Sequence, residues 1–165
     1  HHMMDERTQE EPRAWDLEGA THRAGFKIEE LVEFVRAASP SEEDFGQALS
    51  QLHQALDKAA DKVAQKTPAQ QDLVGQVDAL IDTLYFTYGS FVLMGVDPER
   101  IFDIVHQANM GKIFPDGKAH FDPVTHKILK PDDWEEKYAP EPAIKKELQR
   151  QLKAYERHKE RNNTQ

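Results

Sequence analysis

The 165-residue chain is 38% hydrophobic, enough to build one sizeable core in a single domain. Its 30 acids against 21 bases leave a formal charge of −9, which argues against a nucleic-acid polymer or an anionic membrane as partner and makes any anionic substrate depend on a bound cation or a local basic cluster. Cysteine is absent, which excludes disulfides, thiolate catalysis and zinc-thiolate sites; no apolar run approaches the ~20 residues of a membrane span and no signal-peptide pattern opens the chain, so the expectation is a cytoplasmic protein.

His1, His2, Met3 and Met4 read as the remnant of an expression tag. Residues 5–25 are polar and mixed, with Pro12 and Gly25 breaking any helical period. They read as a lead-in that Trp15 and Leu17 pin to the core. From Phe26 to Ala38, Ile28, Leu31, Val32 and Val35 recur at helical spacing until Ser39-Pro40 stops the run. Glu29, Glu30 and Glu33 fall on this first helix within a sector of roughly 100°, beside the apolar stripe. Three like charges so placed repel one another unless a positive group sits among them. Taken alone, such a triplet also describes an ordinary solvated face.

Ser41 with Asp44 forms an approximate capping box for a second helix over about 42–65, whose stripe is Phe45, Leu49, Leu52, Leu56 and Val63. Thr67-Pro68 restarts the chain into a third helix. Leu73, Val77, Leu80, Ile81, Leu84, Tyr85, Tyr88, Phe91 and Val92 make that helix apolar over most of its circumference, so it is expected to be the central, most buried one. Asp78 and Asp82 lie one turn apart on it. A buried unpaired carboxylate is costly, and a cation shared with the acids of the first helix would relieve the cost, which suggests a metal site between the two helices. Gly95 ends the third helix and Asp97-Pro98 opens a fourth, with Ile101, Phe102, Ile104, Val105 and Ala108 on its apolar side. At its end Asn109 and Lys112 suit the capping of its last carbonyls and the complementing of its dipole. His106 reads as a structural histidine.

Residues 113–140 carry prolines and glycine without a sustained period and read as a long ordered loop, with turns at Pro115-Asp116-Gly117 and Asp122-Pro123. Its Lys118, Lys127 and Lys130, with Lys112, are the densest basic group near the acids. A charged helix follows over Glu141–Arg161, with Ile144, Leu148, Leu152 and Tyr155 on one narrow stripe, and the last residues are expected to fray. The third helix carries more apolar surface than a four-helix unit covers, so a homodimer or higher homo-oligomer is expected.

The order EE-x-x-E at Glu29, Glu30 and Glu33, D-x-x-x-D-x-L-Y from Asp78 to Tyr85, V-H-x-x-N-M-x-K from Val105 to Lys112, and a DG loop at Asp116-Gly117 resembles the all-α nucleoside triphosphate pyrophosphohydrolases. This is the MazG-like group that includes dimeric dUTPases and phosphoribosyl-ATP pyrophosphohydrolase. The resemblance spans roughly residues 26–135. It divides the chain into a tag remnant and lead-in at 1–25, a MazG-like domain at 26–135, and a C-terminal helix and tail at 136–165. It implies an all-α fold with a four-helix core, and magnesium-dependent hydrolysis of a nucleoside triphosphate to the monophosphate and pyrophosphate, with manganese as the alternative ion.

By the same resemblance, Glu29, Glu30 and Glu33 stand on the first acidic motif as metal ligands, one of them serving as general base, and Asp82 stands on the metal aspartate of the second. The family pattern has a glutamate three residues before that aspartate, where this chain has Ala79; Asp78, one turn before Asp82, is the metal ligand that departs from the pattern. Asn109 and Lys112 match the substrate-side positions, Tyr85 the aromatic after the metal aspartate, and Lys118 lies in the loop that follows. Two other readings stand beside this one. The first is a phosphoribosyl-ATP pyrophosphohydrolase, and the second a helical interaction module without catalysis.

Overall fold

The structure, a computed structural model, describes residues 10–66, 72–125 and 127–163. The described chain is all-α. Its helices are α1 (Leu17–Ala38), α2 (Glu42–Ala64), α3 (Leu73–Met94), α4 (Glu99–Met110), α5 (Trp134–Tyr138) and α6 (Glu141–Asn162). Isolated β-bridges at Ile113 with Ala119 and Phe121 with Ile128 are its extended pairings among the described residues. No helix among those residues is long and apolar enough to cross a membrane. Two compact units divide the chain, with the boundary between Leu80 and Ile81 inside α3.

In the unit of residues 11–80, α1 and α2 form a hairpin through Ser39-Pro40-Ser41. Its first helix begins at Leu17, nine residues earlier than the start at Phe26 that the periodicity suggests. The reason is a cap: the Asp16 carboxylate accepts the Gly19 N–H at 2.7 Å, and a single interior glycine such as Gly25 costs only ~1 kcal/mol, which a capped helix absorbs. At the start of α2 the Ser41 hydroxyl accepts the Asp44 N–H at 3.1 Å and donates to the Asp44 carboxylate at 2.6 Å. The Asp44 side chain thus closes on the cap hydroxyl, where a full capping box would reach back to the cap's own N–H. Arg36 pairs with Glu42 and lays its guanidinium 4.8 Å from the centre of the Phe45 ring, fixing the corner of the hairpin. Gln76, in the first turn of α3, holds the lead-in: its side chain accepts the Trp15 N–H at 2.8 Å and donates to the Trp15 carbonyl at 3.0 Å. Trp15 is therefore pinned through its backbone. Its side chain and that of Leu17 remain exposed. Thr67-Pro68 lies outside the described residues.

The other unit, from Ile81 onward, is built on the remainder of α3, α4, α5 and α6. Gly95 ends α3 with φ +68, a left-handed conformation that L side chains adopt at a cost. Val96 N–H donates to the Phe91 carbonyl at 3.0 Å and Gly95 N–H to that of Val92 at 3.0 Å, the Schellman pairing of a glycine-terminated helix. Asp97 then turns the chain into α4, its carboxylate accepting the Glu99 N–H at 3.1 Å. A second glutamine clamp ties this corner to α6. The Gln151 side chain accepts from the Asp97 N–H at 3.0 Å and donates to the Asp97 carbonyl at 2.9 Å.

Within residues 113–125 and 127–129 the chain makes two small hairpins at the two turns expected from sequence. In the first, Gly117 N–H donates to the Phe114 carbonyl at 2.8 Å and Phe114 N–H to that of Lys118 at 2.9 Å. In the second, one Asp122 carboxylate oxygen accepts from the Val124 N–H, the Thr125 N–H and the Thr125 hydroxyl at 2.9, 2.6 and 2.9 Å. The expectation of an irregular segment up to residue 140 fails at its end, where WEEKY forms α5. Five residues are too few for a periodic signal. What makes them helical is tertiary, the docking of Trp134 and Tyr138 described below. At the other end of α6, Asn162 continues the helix, one residue beyond the expected limit of Arg161.

The largest correction concerns burial. Ala108 and Trp134 are the buried apolar side chains among the described residues, and α3, expected to be the most buried helix, holds no buried residue. Val77, Leu80, Leu84 and Tyr88 on α3 are each 43–57% exposed. Composition reports how much apolar surface a chain owns. It does not report whether the same chain covers it.

Candidate active site

The α1 acids are where helical geometry requires. Glu29 and Glu33 are one turn apart on one face, Glu30 lies ~100° around, and all three are exposed. Asp78 and Asp82 repeat the one-turn spacing on α3 and are exposed as well, so the expected burial of these carboxylates does not occur in the single chain. Among the described residues no three carboxylate or histidine side chains stand close enough to hold one ion. The donor set nevertheless fits magnesium chemically, since every proposed ligand is a hard carboxylate oxygen and solvent-accessible positions leave room for retained waters.

The C-terminal end of α4 brings Asn109 and Lys112 together. Asn109 donates its amide to the Val105 carbonyl at 3.0 Å, back along the helix, and offers its oxygen to the Lys112 ammonium at 2.8 Å. The sequence allows Asn109 and Lys112 as helix caps or as an anion site; the structure makes them partners of each other. Trp134, 5% exposed, packs onto this end and donates its indole N–H to the Ala108 carbonyl at 2.8 Å. One turn later on α5, Tyr138 lies over Gly111. A β-carbon at 111 would stand 2.4 Å from the Tyr138 ring, so this buried position admits only glycine at that approach. Lys130 and Lys112 place their ammonium groups 3.9 and 5.9 Å from the Trp134 ring centre.

The other expected substrate residues are dispersed. Tyr85 is 75% exposed on α3, edge-on to Phe86. Lys118 is exposed in the first hairpin, its backbone N–H bonded to the Asp116 carboxylate. That carboxylate also binds His120 at 2.7 Å, and the His120 hydrogen bond, followed by the Lys118 N–H, holds Asp116 below the usual aspartate range. His106 lies exposed along the Phe102 ring. Trp134 and Tyr138 were legible in the sequence only as two aromatics at i and i+4. A motif reading of the acids alone passes over them.

A family model described as phosphoribosyl-ATP pyrophosphohydrolase matches residues 1–109, two thirds of the chain. The chain belongs to the phosphoribosyl-ATP pyrophosphohydrolase family. It is thereby a nucleotide pyrophosphohydrolase of the all-α superfamily that the motifs resemble, and the match takes in the α1 and α3 acids, Tyr85 and Asn109. A crystal structure of a candidate NTP pyrophosphohydrolase from Exiguobacterium sp. 255-15 is similar at 40% identity with a TM-score of 0.80, over 90% of this chain and 88% of that one. The likeness therefore extends past Asn109, where the family match ends. Among curated proteins no match was found.

Proposed function

We propose that this pyrophosphohydrolase cleaves a nucleoside triphosphate between the α and β phosphates, releasing the monophosphate and pyrophosphate, with magnesium held by Glu29, Glu30, Glu33, Asp78 and Asp82. The observation that carries the reading is the repeated one-turn spacing of carboxylates on α1 and α3, in a family of pyrophosphohydrolases. Magnesium, when bound there, supplies charge neutralisation on the triphosphate oxygens.

The chain's own residues account for the rest. One of Glu29, Glu30 and Glu33 accepts a proton from the attacking water as its oxygen bonds to the α phosphorus and the bond to the bridging oxygen breaks. Lys112, aimed by Asn109, holds a phosphate oxygen as a point charge. The hairpin lysines supply local positive potential on a protein of charge −9. A homodimer fits the same reading. The exposed face of α3 is a continuous apolar surface of the kind a stable subunit interface covers, and a second copy of this chain is its proposed occupant.

A panel of ribo- and deoxyribonucleoside triphosphates, assayed for pyrophosphate release with and without magnesium, tests the proposal. Glu33→Gln and Asp82→Asn should each abolish turnover while leaving helicity intact, and metal-free thermal stability should hold or rise as repulsion is relieved. Full activity in either variant refutes the metal assignment. Phosphoribosyl-ATP, favoured by the family match, is the second reading and belongs in the same panel.

A further inference from the structure

We infer that Phe102 and His106 form the platform on which the nucleobase stacks, so that the substrate lies along the exposed face of α4 with its phosphates toward the C-terminal end of that helix. The inference rests on the proposed nucleotide substrate and on its phosphates being held at that end.

Helical geometry puts the residues concerned on one face. At ~100° per residue, Phe102, His106 and Asn109 fall within a sector of roughly 60°. That sector is turned away from Ile104 and Ala108, which line a cavity with Ala143 of α6. Phe102 is 69% exposed, and Val105, at the edge of the same face, 37%. The Phe102 and His106 rings are parallel to within 7°, with centres 6.5 Å apart. The other ring pairs among the described residues, His22 with Phe26, Phe114 with His120 and Tyr85 with Phe86, meet at 69°, 40° and 77°. An edge-on pair covers the face of one ring with the edge of the other; parallel rings present faces of one orientation, on which a third flat ring can lie parallel to both.

The polar groups on this face separate it from the α3 surface. Val77, Leu80, Ile81 and Leu84 on α3 offer a dry contact to another subunit. On α4 the rings are interleaved with polar groups that such a contact would leave unpaired. The His106 ring nitrogens make no hydrogen bond with another described residue, and a nucleoside carries donors and acceptors on its base edge and ribose that can meet them. The spacing along the helix fits as well. At a rise of 1.5 Å per residue, His106 and Phe102 stand ~4.5 and ~10.5 Å back along the axis from Asn109, the stretch over which a nucleotide passes from phosphate through ribose to base. Stacking accepts every base, because each has a π face. The platform therefore supplies affinity for the nucleoside and little choice among bases.

The test uses the full chain as wild type, Phe102→Ala, Phe102→Trp and His106→Ala. It reads KM and kcat for the best substrate of the panel, the inhibition constant of tripolyphosphate, which has no base or sugar, and the sedimentation of each variant. Phe102→Ala should raise KM about tenfold, with kcat and the tripolyphosphate constant changed less than about twofold. Phe102→Trp, with a larger π face, should keep KM at or below the wild-type value. His106→Ala should raise KM about three- to fivefold with the same split between substrate and tripolyphosphate. A wild-type KM in Phe102→Ala overturns the platform and leaves the proposed reaction standing. So does a rise that falls equally on substrate and tripolyphosphate, or one that accompanies dissociation to monomer, since either places Phe102 in the scaffold or in a subunit contact. If the wild type releases pyrophosphate from no compound of the panel, the proposed reaction fails and the platform with it. Should Phe102→Ala melt too low to assay, Phe102→Leu, which keeps apolar bulk and removes the π face, carries the same comparison.

Discussion

Gly111→Ala probes the docking of α5 on the end of α4 at its tightest point. The added β-carbon would meet Tyr138 Cγ at 2.4 Å and both Cδ atoms at 2.7 Å. Ordinary contact begins near 3.4 Å, so the ring must retreat by about 1 Å. Gly111 has φ −63, which alanine accepts, so the backbone imposes no strain and the whole effect comes from the ring. Overpacking of this size costs roughly 1–3 kcal/mol, and alanine returns up to ~1 kcal/mol in helix propensity. The net should be a loss of about 1–2 kcal/mol, or a fall in Tm of roughly 2–8 °C for a chain of this size. Thermal unfolding measures it. Removing the ring checks the cause: in a Tyr138→Ala background the same glycine substitution should cost nothing or stabilise. A Tm for Gly111→Ala equal to or above wild type, or an undiminished cost beside Tyr138→Ala, refutes the reasoning.

Gln151→Ala should lower stability by about 1 kcal/mol, since it breaks both bonds to the Asp97 backbone but leaves those groups open to water; an unchanged chemical denaturation midpoint would show the clamp to be idle. Glu147, bonded by Arg150 through both oxygens and by Gln151, has its pKa lowered from 4.5 to about 2. Its contribution is therefore complete above about pH 4.5 and fades as the pH falls toward 2, so the Tm gap between wild type and Glu147→Gln should narrow over that window. A gap that stays constant would place the ion pair outside the stability of the fold. The α3 face can be tested with Leu84→Glu, for which sedimentation should report a dimer for the wild type and a shift to monomer for the variant; a wild-type monomer at micromolar concentration would remove the proposed interface.

The sequence by itself determined the elements whose cause is local. Periodicity placed α2, α4 and α6 to within a residue or two, Gly95 and Asp97 marked the turn between α3 and α4, and the two hairpin turns were written in Asp116-Gly117 and Asp122-Pro123. The carboxylate spacings on α1 and α3 were equally legible, because helical geometry alone sets which residues share a face. The start of α1 is local as well, because the Asp16 carboxylate caps the Gly19 N–H three residues on and outweighs Gly25. Only the tertiary structure decided the existence of α5, whose five residues are helical because an indole and a phenol dock on the end of α4. It also decided the fate of α3. An apolar circumference states that a helix must be covered, but burial is a property of two surfaces, and in this chain the described residues leave that face open.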